Sequence, residues 1–152
     1  MRTFLLALGL GLTAAPVMAV PFQAVDASTD RIVFLDQATV TQNGDIAEGD
    51  VLFAIRKEGG HNIYLLARVK ADCNANSMWT TKQTFLDETG AVLQTIVEDQ
   101  VPQVASGIGV AIVETLCTGI SPNATTAGIT HDTLQGALTH GRKFLAHHAG
   151  AG

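Results

Sequence analysis

Asn62-Ile63-Tyr64-Leu65-Leu66-Ala67-Arg68-Val69-Lys70-Ala71-Asp72-Cys73 is the stretch that decides the fold. Ile63, Leu65, Ala67, Val69, Ala71 and Cys73 fall on one face of an extended chain, and Tyr64, Leu66, Arg68, Lys70 and Asp72 on the other. Period two, with one apolar and one mostly polar face, is the pattern of a strand in an antiparallel sheet with one side buried and one wet. Cys73 falls on the buried side. Upstream, Glu58-Gly59-Gly60 turns the chain, so Val51 to Arg56 is the hairpin partner. Before it, Thr41 to Asp50 carries the turn signals Asn43-Gly44 and Glu48-Gly49-Asp50. Arg31-Ile32-Val33-Phe34-Leu35 is a further β-rich run ended by Asp36, and Val20 to Asp30 reads as a loose lead-in.

Downstream, Met78 to Leu86 is another strand. Asp87-Glu88-Thr89-Gly90 is a tight connection, with Gly90 suited to a positive φ, and Ala91 to Val97 returns beside it. Val104 to Cys117 is ambiguous. Ile108, Val110, Ile112 and Val113 favour a strand. A helix is also coherent, though propensity favours the strand: Ser106 as cap, Gly109, Val110, Val113, Leu116 and Cys117 as one stripe, and Gly119 as the stop. Thr118 to Gly128 is a linker containing Pro122. Thr130 to His148 reads as a helix with Thr130 as its cap, Leu134, Leu138 and Leu145 on one face, and Gly136 and Gly141 weakening it.

The two ends bear on where the protein works. Met1-Arg2 is a short positive start, Phe4 to Ala15 is apolar, and Val17 and Ala19 are small residues at the positions a signal peptidase reads. Residues 1–19 are expected to be a signal peptide cut after Ala19, which predicts a periplasmic or extracellular protein. Val20 rather than Cys follows the cut, so no lipid anchor is expected, and no other segment is long and apolar enough to span a bilayer. The formal charge is −5, one unit more negative without Arg2, and no basic stripe is present. Nucleic acid is therefore an unexpected partner, and so is an anionic membrane surface. Asn123-Ala124-Thr125 fits a glycosylation pattern that carries little weight in a bacterial-type exported chain.

Two cysteines in an exported chain most simply form one disulfide, Cys73–Cys117. Closing a loop of that size contributes roughly 4 kcal/mol by chain entropy. A reactive thiol is the rival, but His61 is remote in sequence and no Cys-x-x-Cys motif is present. His131, His140, His147 and His148 gather near the C-terminus, yet none of their spacings is that of a helical metal pair, so they read as exposed polar residues. Asp45, Glu48 and Asp50 lack the pattern of a calcium loop and read as a solvated turn. Ser106-Gly107 lacks the surroundings of a nucleophile elbow. No catalytic residue, metal ligand or cofactor is assigned. Tyr64, Leu66 and Arg68 on the wet face of the central strand form a candidate docking surface, or equally a face covered by the C-terminal helix or a second subunit.

The order of these features resembles the bacterial surface-adhesin protein E-like domain family. The residues that carry the resemblance are Phe34-Leu35-Asp36, Asp72-Cys73, the Asp87-Glu88-Thr89-Gly90 hairpin, Pro102, Ser106-Gly107 and the apolar run closing at Cys117. It spans about Arg31 to Gly119. The resemblance implies an antiparallel sheet of about six strands with a helix disulfide-linked to one face, Ser106 to Cys117 being that helix. The family's founding adhesin binds host matrix and plasma proteins and is lipid-anchored; this chain lacks the lipid cysteine, and its tail after Gly119 has no counterpart.

The reading as a whole is an α+β fold: an antiparallel β-sheet of about five to six strands, a disulfide-tethered helix on one face and an appended C-terminal helix. Residues 1–19 are the signal, 20–119 the adhesin E-like domain, and 120–152 a linker and helix. The expected function is an exported, non-enzymatic, adhesin-like binding or envelope-associated module with a protein partner, a homodimer among the options. The alternatives are a small exported enzyme with a site of scattered residues, and an assembly protein using its C-terminal helix.

Overall fold

A computed structural model describes residues 21–149 apart from residues 124 and 127. The expected signal segment and its cleavage point lie outside the described residues. The elements are β1 (Phe22–Ser28), β2 (Arg31–Asn43), β3 (Ile46–Arg56), β4 (Asn62–Asp72), β5 (Ser77–Leu86), β6 (Val92–Val97), β7 (Gln103–Val104), α1 (Ile108–Thr118), β8 (Thr130–His131) and α2 (Leu134–His148). The strands form one eight-stranded sheet in the order β6-β5-β4-β3-β2-β1-β8, with β7 beside β5. Each pairing is antiparallel.

The fold class is therefore α+β as expected, but the strand count exceeds five to six. Three additions account for it. The supposed lead-in is β1, in register with β2 from Phe22↔Asp36 to Ser28↔Arg31. The two-residue β7 and β8 are short extensions onto β5 and β1. The stretch Thr41 to Asp50 is mostly strand: β2 runs to Asn43, β3 starts at Ile46, and only Gly44 and Asp45 turn.

The larger correction concerns the wet face. The sheet is covered on both sides. Ala67, Val69 and Ala71 of β4 share a core with Ile112, Val113 and Leu116 of α1. Tyr64, from the opposite face of the same strand, shares a second core with Ala137, Leu138 and Leu145 of α2. The neighbouring strands explain why. Ile32-Val33-Phe34-Leu35 and Val51-Leu52 are apolar at consecutive positions, and all six residues are fully buried. A strand apolar on both faces needs a cover on both faces. The helix at residues 134–148 is thus that second cover, and β8 just ahead of it joins the same sheet.

The ambiguous segment is the helix that the resemblance implied. Gly119 ends α1 in the left-handed region at φ 74°, and its N–H donates to the Thr115 carbonyl. The N-cap is Gly107 rather than Ser106, and no side chain caps it. Val110, expected on the buried stripe, is exposed, and Gly109 and Ile112 are buried. Cys73 and Cys117 are joined, with 5.8 Å between their Cα atoms, which ties the end of β4 to the last turn of α1. The helix sits close because Gly49 offers no side chain: a Cβ there would lie 2.9 Å from Leu116 Cδ2.

On the other face, α2 begins three residues later than expected. Thr130 is in β8 opposite Gln23, and Thr133 is the cap, its hydroxyl oxygen accepting from the Gly136 N–H at 3.1 Å. Ala137, Leu138, Gly141 and Leu145 form the buried stripe. Gly141 lies where α2 crosses the sheet; a Cβ there would be 2.8 Å from Ala54 Cβ.

Candidate functional site

Of the three residues read as a docking surface or a face covered by the C-terminal helix, Tyr64 and Leu66 are covered. Tyr64 is 3 % exposed beneath α2, and Leu66 is half-buried beside it. Burial raises the Tyr64 phenol above its ordinary range. The physical reason is α2, which takes the face that the single-strand pattern left to solvent. Arg68 lies beyond the helix and is engaged by its own sheet. Its Nε donates to Glu48 Oε1 at 2.6 Å, and its Nη1 is 3.3 Å from Asp50 Oδ1. Asp36 sits in the same cross-strand row, opposite Asp50. Burial holds the Asp36 carboxyl above its ordinary value, and the Asp50 charge adds to this. Glu48 and Asp50 therefore neutralise an arginine, and no group of three metal-ligating side chains is present among the described residues.

Asp87 behaves as a turn residue: its Oδ1 accepts from the Thr89 N–H, the Thr89 hydroxyl and the Ala91 N–H. Asn123 is occupied as well, its Nδ2 donating to Asp26 and its Oδ1 accepting from Thr125. The histidines are not simply scattered. The strand β8 brings His131 over α2, where its ring centroid is 5.0 Å from that of His140. Both rings meet Phe34 edge-on. His147 and His148 lie at the helix end, with His148 Nδ1 at 2.9 Å from the Phe144 carbonyl.

The surface that sequence reasoning missed is the β6 edge. All six of its residues, Val-Leu-Gln-Thr-Ile-Val, are exposed. Val92 is 64 % exposed, Leu93 68 % and Val97 77 %, with Val101 and Val104 close by in sequence and equally open. The strand ends the sheet, so one row of its main-chain groups faces outward. The ladder shows which. Glu98 donates to the Thr81 carbonyl, so by alternation Ile96 and Gln94 bond β5 while the amides of Thr95 and Val97 turn away from it; Leu93 lies at a bulge, where the register shifts before Val92. Acidic residues bracket the strand, Asp87-Glu88 before it and Glu98-Asp99 after it. At the first of these ends a cavity of about 400 Å³ is lined by Asn62, Tyr64, Asp87, Glu88 and Leu93, among others. The signal was present in the sequence: Val92 to Val97 carries no charge and is apolar on both alternating faces, which a protected edge strand is not.

No protein-family model, curated protein or solved structure matches the chain.

Proposed function

We propose that this chain is an exported, non-enzymatic binding module of adhesin-like type whose working surface is the β6 edge. Its partner is an extended, apolar segment of another protein, added to the sheet as a further antiparallel strand. The observation that carries the reading is an uncharged edge strand, all six of its residues exposed, with outward amides at Thr95 and Val97. Main-chain bonds supply affinity in such strand addition, and side-chain pockets supply choice.

The charges indicate the kind of segment. Acidic pairs stand at both ends of β6, and the cavity beside Leu93 is walled by Asp87 and Glu88. They suit a partner with lysine or arginine flanking its apolar centre. They disfavour a second copy, because antiparallel self-pairing would set Glu98-Asp99 of one chain beside Asp87-Glu88 of the other. The disulfide supports the exported reading, since such bonds persist outside the reducing cytoplasm. Among the described residues no helix is long and apolar enough to cross a membrane.

The test is a titration of the oxidised protein with a synthetic peptide of six alternating β-branched residues flanked by lysines. The same peptide flanked by glutamates is the control. Binding should protect the amides of Thr95 and Val97 from hydrogen exchange, and the glutamate peptide should bind more weakly. Thr95→Pro removes one outward N–H without touching the β5 ladder and should abolish binding while the protein stays folded. Protection of β6 that grows with protein concentration, with no peptide added, would shift the reading to a homodimer.

A further inference from the structure

At the opposite edge of the sheet, a cavity of about 400 Å³ lies between β8 and the first turns of α2. Its walls are His131, Thr133, Gln135, Thr139, His140 and Lys143, with Gly136 at the base of the histidine pair. Among these residues none is acidic, although acids outnumber lysines and arginines fourteen to nine in the whole chain. The helix itself, from Leu134 to His148, carries Arg142, Lys143 and three histidines and no carboxylate. From the chemistry of these walls we infer that the cavity binds a small oxyanion of the phosphate type.

Each polar wall can donate. Thr133 uses its hydroxyl oxygen to accept from Gly136, so its proton is free to point elsewhere. Thr139 does the same with Arg142 Nη2, at 3.4 Å. Gln135 brings an amide with two donors, and Lys143, exposed at the rim, an ammonium. The two histidines have different tasks. His131 Nε2 is buried with no hydrogen-bond partner. An orphaned N–H is costlier there than an orphaned lone pair, so the ring proton belongs on Nδ1. That nitrogen lies on the Gly136 side, 3.5 Å from where a Cβ at Gly136 would stand. Nδ1 is thus the His131 nitrogen placed to donate. His140 is held below its ordinary value by burial, then by His131 and Lys143. From β2 its neighbour is Phe34, which carries no charge. His140 is therefore uncharged in the empty cavity at neutral pH, and an arriving anion favours its charged form against the cost of burial.

A metal ion fits the same walls poorly. Only two ligating side chains converge, and Lys143 repels a cation. An anion gains from every group listed above, each contact being a charge-assisted or neutral hydrogen bond.

The experiment is nuclear magnetic resonance of the histidine ring protons in the full oxidised chain. Inorganic phosphate, glycerol phosphate and sulfate are titrated in against sodium chloride at matched ionic strength. Saturable shifts of His131 and His140 are expected, absent with chloride. Tighter binding of inorganic phosphate identifies a free ion, and tighter binding of glycerol phosphate identifies an ester such as a lipid headgroup. Sulfate, whose own charge is constant over this range, should bind more tightly at pH 5.5 than at pH 7.5. Lys143→Gln, at an exposed position that does not threaten the fold, should weaken binding about tenfold, the scale of one charged hydrogen bond. His140→Gln should remove the pH dependence, and Lys57→Gln, far from the cavity in an exposed turn, should change neither. Shifts no larger than chloride produces, or binding indifferent to Lys143→Gln, would overturn the proposal. So would zinc(II) binding the two rings more tightly than any of the anions.

Discussion

Gly141→Ala is the most informative single substitution in the fold, because two effects of known size oppose each other there. Alanine in place of glycine in a helix interior gains about 1 kcal/mol from propensity. At this site, however, the new methyl would stand 2.8 Å from Ala54 Cβ. Carbon atoms in contact prefer about 3.5–4.0 Å, so α2 must lift by roughly an ångström or β3 must yield. Neither is easy, since Leu138 and Leu145 on the same helix stripe are fully buried and Ala54 lies in the middle of the sheet. Overpacking of this kind costs about 1–3 kcal/mol. The expected outcome is a net loss of about 1 kcal/mol, read from urea unfolding with the disulfide intact. Ala54→Gly removes the opposing methyl, so the double variant should be more stable than the two single effects summed, by about 1–3 kcal/mol. Ala146→Gly, exposed on the same helix, calibrates the propensity term and should cost about 1 kcal/mol. A Gly141→Ala protein more stable than the parent, or no relief from Ala54→Gly, would refute the close approach of α2 to the sheet.

Other consequences can be checked on the same protein. Replacing Cys73 and Cys117 with serine should lower unfolding stability by about 4 kcal/mol, measured by denaturant titration. Arg68→Met leaves Glu48 and Asp50 without their cation; with the guanidinium about a quarter exposed, a loss of about 1–2 kcal/mol is expected in the same assay. His140 has a lowered folded-state pKa, so the unfolded chain takes up its proton first as pH falls. The contribution is complete above the ordinary value of 6.5 and declines below it until the folded ring itself is protonated. His140→Gln should flatten the melting-temperature profile between pH 7 and pH 5.

Much of the sheet was legible in the chain, and the reason is local. The alternation from Ile63 to Cys73 and the turns at Gly59-Gly60 and Asp87–Gly90 set β3 to β6 directly. What escaped were matters decided at a distance. Phe22 to Ser28 has few strong β-formers, and it is a strand because β2 offers it an edge and both cores need Ala24 and Val25. The second covered face was written in Ile32 to Leu35, where consecutive apolar residues demand burial on both sides, but the central strand with its Arg68 and Lys70 masked it. The surface assignment then failed with it, since Tyr64 lies under α2. Ser106 and Thr130 each look like caps, and the capping positions are Gly107 and Thr133 because tertiary packing sets where each helix starts. The His131–His140 pairing is nine residues apart in sequence, and only the β8 excursion back to β1 closes it.

The bond between Cys73 and Cys117 spans 44 residues, and β5, β6, β7 and nearly all of α1 lie within that loop. The exposed Glu98-to-Pro102 stretch after β6 is also inside it. A protease cutting there produces two fragments that stay covalently joined. The cut chain would run as one band on a non-reducing gel and as two after dithiothreitol. Backbone cleavage beside β6 therefore releases no fragment while the sulfur bridge holds, and releases one once the bridge is reduced.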